Sequence, residues 1–129
     1  MSNGVFKLDG KDYGIFVESL ERSFEVADTD ATGRTADWVM HRDVVGTFYN
    51  YSMKVAVKDY NYKAYNDFYW AISSPTKSHK LEVPFADGTL VFDAYITKGK
   101  DKLPIKRGNR NHWDDLTINF IAMEPYRRA

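Results

Sequence analysis

Three histidines, His41, His79 and His112, are the only imidazoles in the chain. Gaps of 38 and 33 residues leave none with a neighbour at the three-to-five spacing that seats two rings on one metal. The string Asp28-Thr-Asp30-Ala-Thr32-Gly33 begins like a calcium loop, with oxygen-bearing side chains alternating up to an obligatory glycine. It then fails, because Thr32 takes the place of the third Asp or Asn and Val39 stands where a bidentate glutamate is required. His41-Arg42-Asp43 spells part of a kinase catalytic loop without the glycine-rich phosphate cover that gives those letters a mechanism. No Gly-x-Ser-x-Gly turn presents a serine nucleophile, and the absence of cysteine removes thiol nucleophiles, thiolate ligands and disulfides together. No catalytic, cofactor-binding or metal-binding residue is therefore assigned, and the chain is expected not to be an enzyme. A cleft gathering one of the histidines with carboxylates would reverse that expectation.

Charge is the second resource. Eighteen basic residues balance eighteen acidic ones, so the whole chain lacks the positive excess of a phosphate-backbone binder. The balance is unevenly spread. Between Asp9 and Asp30 the acids Asp9, Asp12, Glu18, Glu21, Glu25, Asp28 and Asp30 face only Lys11 and Arg22. Between Lys98 and His112 the cations Lys98, Lys100, Lys102, Lys106, Arg107 and Arg110 face only Asp101. Like-charge runs commonly do no more than face water. Placed on opposite sides of one body, they would instead make copies self-complementary, so that head-to-tail contacts close a ring or run on as a filament. Trp113 beside the cations could stack on a base, but one ring is a poor platform for single-stranded nucleic acid and such binding is not expected. The basic segment, at about 98–114, is expected to be a long loop that orders against a neighbouring subunit. The candidate interface is accordingly Lys98, Lys100, Lys102, Lys106, Arg107, Arg110 and Trp113, with Glu18, Glu21, Glu25, Asp28 and Asp30.

The elements that must carry these residues are mostly strands. Val5 to Leu8 and Lys11 to Tyr13 flank Asp9-Gly10, a dipeptide suited to the positive φ of a tight hairpin turn. Ile15 to Val26 predicts a strand with one wet side, and Asp28 to Asp37 a loop. From Thr47 to Val57 the residues Tyr49, Tyr51, Met53, Val55 and Val57 share one face, which is the clearest strand pattern in the chain. Between Asn61 and Ser73 the spacing changes to threes and fours through Tyr62, Tyr65, Phe68, Tyr69 and Ile72, predicting a helix capped by Asp59 or Asn61 and stopped before Pro75. Lys80 to Phe85 and Leu90 to Thr97 predict strands around Asp87-Gly88, with Pro84 at an edge or bulge. Leu116 to Met123 is apolar on both faces, as a central strand would be.

These elements predict a mainly β (α+β) fold, an antiparallel β-sandwich or partly closed barrel with one flanking α-helix, spanning 1–129 as one β-rich domain. With 43% hydrophobic residues the chain can fill a core, and its twenty aromatic rings exceed what a core of this size requires. The polar Met1-Ser2-Asn3-Gly4 start and the lack of any run of about 18 apolar residues point to neither export nor membrane insertion. A competing reading is a ligand-binding β-sandwich for carbohydrate or single-stranded nucleic acid. It requires Tyr49, Tyr51, Trp70 and Trp113 to form one exposed platform.

Arg22-Ser-Phe-Glu-Val26, Gly33-Arg34-Thr35, His41 to Tyr51, Ala71 to Pro75 with Ser78-His79, and Leu116 to Met123 together resemble a family of small structural proteins from the tail modules of phages and prophages of Gram-positive bacteria. The resemblance implies a virion or assembly component made in the host cytoplasm, with a tail-tube-like sandwich and helix and no cofactor. Its expected partners are copies of itself or other tail proteins. It carries no functional residue across, and leaves tube, terminator, connector and adaptor roles equally open.

Overall fold

The computed structural model describes residues 6–29, 33–34, 38–103 and 112–129. The two-residue period around Tyr51 is realised in a long antiparallel pair, β2 (Phe16–Asp28) against β5 (Val44–Ala56). Bulges fall between Val17 and Ser19 and between Ala27 and Asp28, where an unpaired residue bends the ribbon. The other edge of β5 receives β9 (Asp114–Ala122) and, on Gly46 and Thr47, the short β10 (Arg127–Arg128). A Cβ on Gly46 would run into the Arg127 carbonyl oxygen, so glycine is what lets that last strand approach.

As expected, β9 is central and apolar on its inner row, with Leu116, Ile118, Phe120 and Ala122 buried. Its free edge takes two successive strands. β7 (Gly88–Tyr95) meets it through Ala94 and Tyr95, and the same stretch of chain continues as β8 (Gly99–Lys102), with Gly99 opposite Ile118 and Lys100 opposite Thr117. β6 (His79–Phe85) extends the sheet from β7, and β1 (Lys7–Leu8) closes its far side. β3 (Gly33–Arg34) and β4 (Met40–His41) form a separate small ladder. The whole is a curled antiparallel sheet, a half-barrel, with one helix against it.

That helix, α1 (Tyr62–Ile72), starts where the Asn61 side chain accepts the Ala64 N–H. Its buried stripe is Tyr65, Phe68 and Ile72, which lies on the inner rows of β5 and β9. Phe68 meets Phe6 and Tyr13 edge-on at 5.8 Å each. Aromatic residues at helical spacing thus supply core, while Tyr62, Tyr69 and Trp70 remain outside it.

Four expectations are corrected by packing. The amino-terminal ribbon is not a hairpin of its own: only a Leu8–Lys11 bridge survives at the Asp9-Gly10 turn, and Lys7–Leu8 pairs with Glu82–Leu81, because Phe6 and Leu8 bury themselves in the common core. Val5 lies outside the described residues. The second turn is Ala86-Asp87, with Gly88 already paired to Phe85. Centring it on Asp87-Gly88 would keep the buried faces but set Glu82 opposite Asp93, whereas the observed register gives Asp93 to Lys80. The acidic loop is shorter than its composition suggests, since β2 runs through Asp28 and Gly33–Arg34 is paired. The basic loop likewise begins as strand β8. Pro84 behaves as expected, lying beyond the reach of β1 on the open side of β6.

Replacing Phe68 with alanine empties the seam between helix and sheet, and should cost about 3–5 kcal/mol in chemical denaturation. Ala86 is held at φ 50°, where a side chain is strained. Ala86→Gly should raise stability by about 0.5–1 kcal/mol, read as a higher thermal midpoint.

Candidate assembly interface

Directly opposed residues share a face, so the registers sort β2, β5, β9 and β8 into an inner and an outer surface. One outer row runs Ser19, Lys54, Thr117, Lys100, and the next runs Glu21, Ser52, Asn119. The acidic and basic segments of the sequence therefore lie along opposite margins of one four-stranded surface. β2 bears Glu18, Glu21, Glu25 and Asp28. The β8 margin bears Lys98, Lys100 and Lys102.

The side chains differ in how far their charge is used internally. Asp28 accepts from the Arg42 guanidinium at 2.5 Å, and that bond and its charge raise the Arg42 pKa. Glu18 pairs with Lys54 at 3.7 Å, Glu21 accepts from the Ser52 hydroxyl at 3.5 Å, and Lys102 pairs with Asp115 at 3.2 Å. Glu25, Lys98 and Lys100 have no ion-pair partner among the described residues. Trp113 is half-exposed next to His112, whose ring stacks on Tyr62 at 4.5 Å. Asp30, Lys106, Arg107 and Arg110 lie outside the described residues.

Both margins are open strand edges. Among the described residues β2 pairs only with β5, and β8 only with β9, leaving a row of main-chain donors and acceptors at each end of the four strands. Charge-based reading of the sequence missed a second feature, the apolar inner face beyond the core. Phe24, opposite Tyr49, is 70% exposed, and Val26 and Val45 continue the same face outward. On the neighbouring small ladder and its approach, Trp38, Val39 and Met40 are exposed as well. Alternation marks Phe24 as inward-facing, but nothing in the local sequence says that the core ends before it.

The four rings named for a ligand platform do not form one. Tyr51 is buried and donates its hydroxyl to the Pro84 carbonyl at 2.9 Å, Tyr49 packs on Phe85 at 5.0 Å, and Trp70 stands on the helix at 81% exposure.

The architecture, a mainly β half-barrel with a single packed helix, is shared with known virion proteins. No protein-family model matches the chain, and no curated protein matches its sequence. Among solved structures it resembles a chain from the virion of a native gene transfer agent particle, with a TM-score of 0.55 and 14% identity over 100% of this chain and 99% of that one. It also resembles the Dit protein of phage SPP1, described as a paradigm of the hub adsorption apparatus in phages that infect Gram-positive hosts. That likeness has a TM-score of 0.51 and 13% identity, covering 94% of this chain and 50% of Dit, so the chain spans half the length of that relative. At such identities what is shared is the fold.

One histidine does meet a carboxylate. His79, buried, holds Asp9 Oδ2 at 2.8 Å through Nδ1, while its Nε2 lies 3.4 Å from the Thr76 hydroxyl. Asp9 Oδ1 accepts the Lys80 N–H at 2.8 Å. The order Asp, His, hydroxyl is that of a nucleophilic triad, yet the Thr76 hydroxyl is also within 3.3 Å of the Ser78 carbonyl, and Asp9 is fully engaged in tying the amino-terminal turn to β6. The geometry is that of a tie. His112 is separately engaged with Tyr62, nothing is described of the His41 side chain, and no group of three or more potential metal ligands occurs among the described residues. Burial alone would raise the Asp9 pKa, but hydrogen bonds from His79 and the Lys80 N–H and the charge of His79 outweigh it and hold Asp9 below its ordinary value. A carboxylate with a lowered folded pKa adds stability that is complete above the unfolded value of about 3.9 and lost as pH falls through the folded one. Asp9→Asn should therefore cost about 1 kcal/mol at pH 7, after discounting for the exposure of Asp9, and should flatten the loss of stability below about pH 4 in acid titration followed by circular dichroism.

Proposed function

We propose that this protein is a structural component of a phage-type tail or related particle, and that it works by joining copies head to tail. The observation that carries the reading is the pair of open strand edges, acidic at β2 and basic at β8, on opposite margins of one sheet. An unpaired edge is a template for strand addition unless it is covered, and oppositely charged edges favour one pairing over its like-charged alternatives. Strand direction agrees. β2, β5, β9 and β8 alternate, so a neighbour related by rotation about an axis along the strands presents its β2 antiparallel to β8. The fold likeness to a gene transfer agent virion chain and to SPP1 Dit supports a place in such a particle. Tyr51, Tyr65, Phe68 and Phe120 are spent on packing and His79 ties chain segments together, while Phe24 and Trp70 remain on the surface for contact.

Sedimentation of the purified chain across concentration should show association that weakens between about 0.05 and 0.5 M salt, as the screening length shortens. The double substitution Lys98→Glu with Lys100→Glu should weaken it about tenfold, and adding Glu25→Lys should recover part of the loss. A strict monomer at every concentration and salt would overturn self-assembly.

A further inference from the structure

The margin of β8 has an apolar recess on its inner side. β6 pairs with β7 no further than Ala94, ahead of β8, so among the described residues no strand covers this flank, and the carboxyl end of α1 forms its far wall. The result is a groove of about 240 Å³ whose apolar lining is Tyr69, Ile72, Ile96, Leu116 and Ile118 beside Gly99, with Ser73, Ser74, Thr97 and Lys98 supplying its polar wall. Gly99 keeps it open and keeps β8 close: a Cβ there would come within 2.5 Å of Ile118 Cγ2. At the opposite margin of the same sheet, on the same inner side, Phe24 stands 70% exposed. Its neighbours on that face are committed elsewhere. Leu20 packs against the core and the Arg22 guanidinium lies over the Phe85 ring at 5.2 Å.

The geometry points to a knob-in-groove contact between copies, in which Phe24 of one chain occupies the recess beside Gly99 of the next. This contact rests on the head-to-tail reading and fixes its register. With β2 antiparallel to β8 and Phe24 opposite Gly99, Ser23 falls opposite Lys100, Glu25 opposite Lys98, and Glu21 opposite Lys102. Sliding the pairing by one residue turns Phe24 out of the recess, and sliding it by two in either direction leaves a single acid–base pair in place of two. An aromatic side chain laid across a glycine in the adjacent strand is itself a stabilising sheet device. Within one chain Leu20 lies in the Gly99 row, so reaching Phe24 requires a stagger of four residues between copies, the kind of offset that closing a sheet demands. An aromatic anchor seated in a groove behind a rim of charge is the usual anatomy of a contact that dominates association.

The absence of cysteine makes the test clean. Ser23 and Lys100 of one chain are separated by two intervening strands, roughly 14 Å across the sheet at the usual spacing, and by four residues along it, too far for a disulfide. Ser23→Cys with Lys100→Cys should give a ladder of oxidised multimers on a non-reducing gel, and each single substitution should give at most dimers. Phe24→Ser should weaken association at least tenfold in sedimentation while leaving the monomer's thermal midpoint unchanged, and Phe24→Leu should recover part of the loss. If Lys98→Glu with Lys100→Glu weakens association but Phe24→Ser does not and no ladder forms, the knob is wrong and the head-to-tail reading stands. If the unaltered chain never associates, both fall.

Discussion

The alternation of β5 governs this molecule. Its inner row, Tyr51, Met53 and Val55, meets Leu116, Ile118 and Phe120 of β9 under the aromatic stripe of α1, and that junction makes the interior dry. The strand is thirteen residues long, and its buried inner row stops at Tyr51. Beyond it, β5 and its partner β2 keep the same period, and although Tyr49 packs on Phe85 and Arg22 lies over that ring, Phe24, Val26 and Val45 are left exposed. One local rule thus yields both a core and an uncovered apolar surface, because period is a property of the strand and burial a property of what lies across from it.

Much of the fold was legible because period and capping are local signals. The threes and fours through Tyr65, Phe68 and Ile72 fixed the helix, and the twofold apolar character of Leu116 to Ala122 placed β9 at the centre of the sheet. The misreadings share a cause. Asp9-Gly10 and Asp87-Gly88 are strong turn dipeptides, but whether Leu8 pairs with the strand after its own turn or with Leu81 is decided by a core assembled from distant segments. The choice between two turns at Ala86 to Gly88 lies with Lys80 and Asp93, which sit across a ladder and far from the loop. Asp28 looked like free charge and proved bound to Arg42, fourteen residues away in the chain. Of the candidate surface, the charges were visible as runs. Their arrangement on opposite margins depended on strand order, and the exposure of Phe24 on where the helix ends, neither of which composition encodes.

The polar chemistry of the described interior serves cohesion. Tyr51 reaches Pro84, Asn50 accepts the Ala122 N–H, and Asp114 accepts the N–H groups of Val57 and Asp115. The Tyr51 bond joins β5 to β6, which no ladder pairs, the others add side-chain ties along the β5–β9 seam, and no buried side-chain donor or acceptor among the described residues lacks a partner. Satisfied crossings of this kind specify one arrangement of strands, since any slip would strand a desolvated polar atom. Rigidity is what a repeated contact surface asks of its scaffold.

The bond from the Tyr65 hydroxyl to Asp101 Oδ2, at 2.9 Å, joins the buried face of the helix to the middle of β8. Burial, reinforced by Asp101 and the nearby Asp114 and Asp115 carboxylates, raises the pKa of that phenol, so it still donates in alkaline solution where a free tyrosine would ionise. The edge strand is thereby shaped while the monomer folds, and its entropy is lost then instead of on encounter. In the proposed head-to-tail assembly, copies meeting along it would face an orientational search with no ordering step, so growth from a first pair would run at the pace of diffusion and alignment.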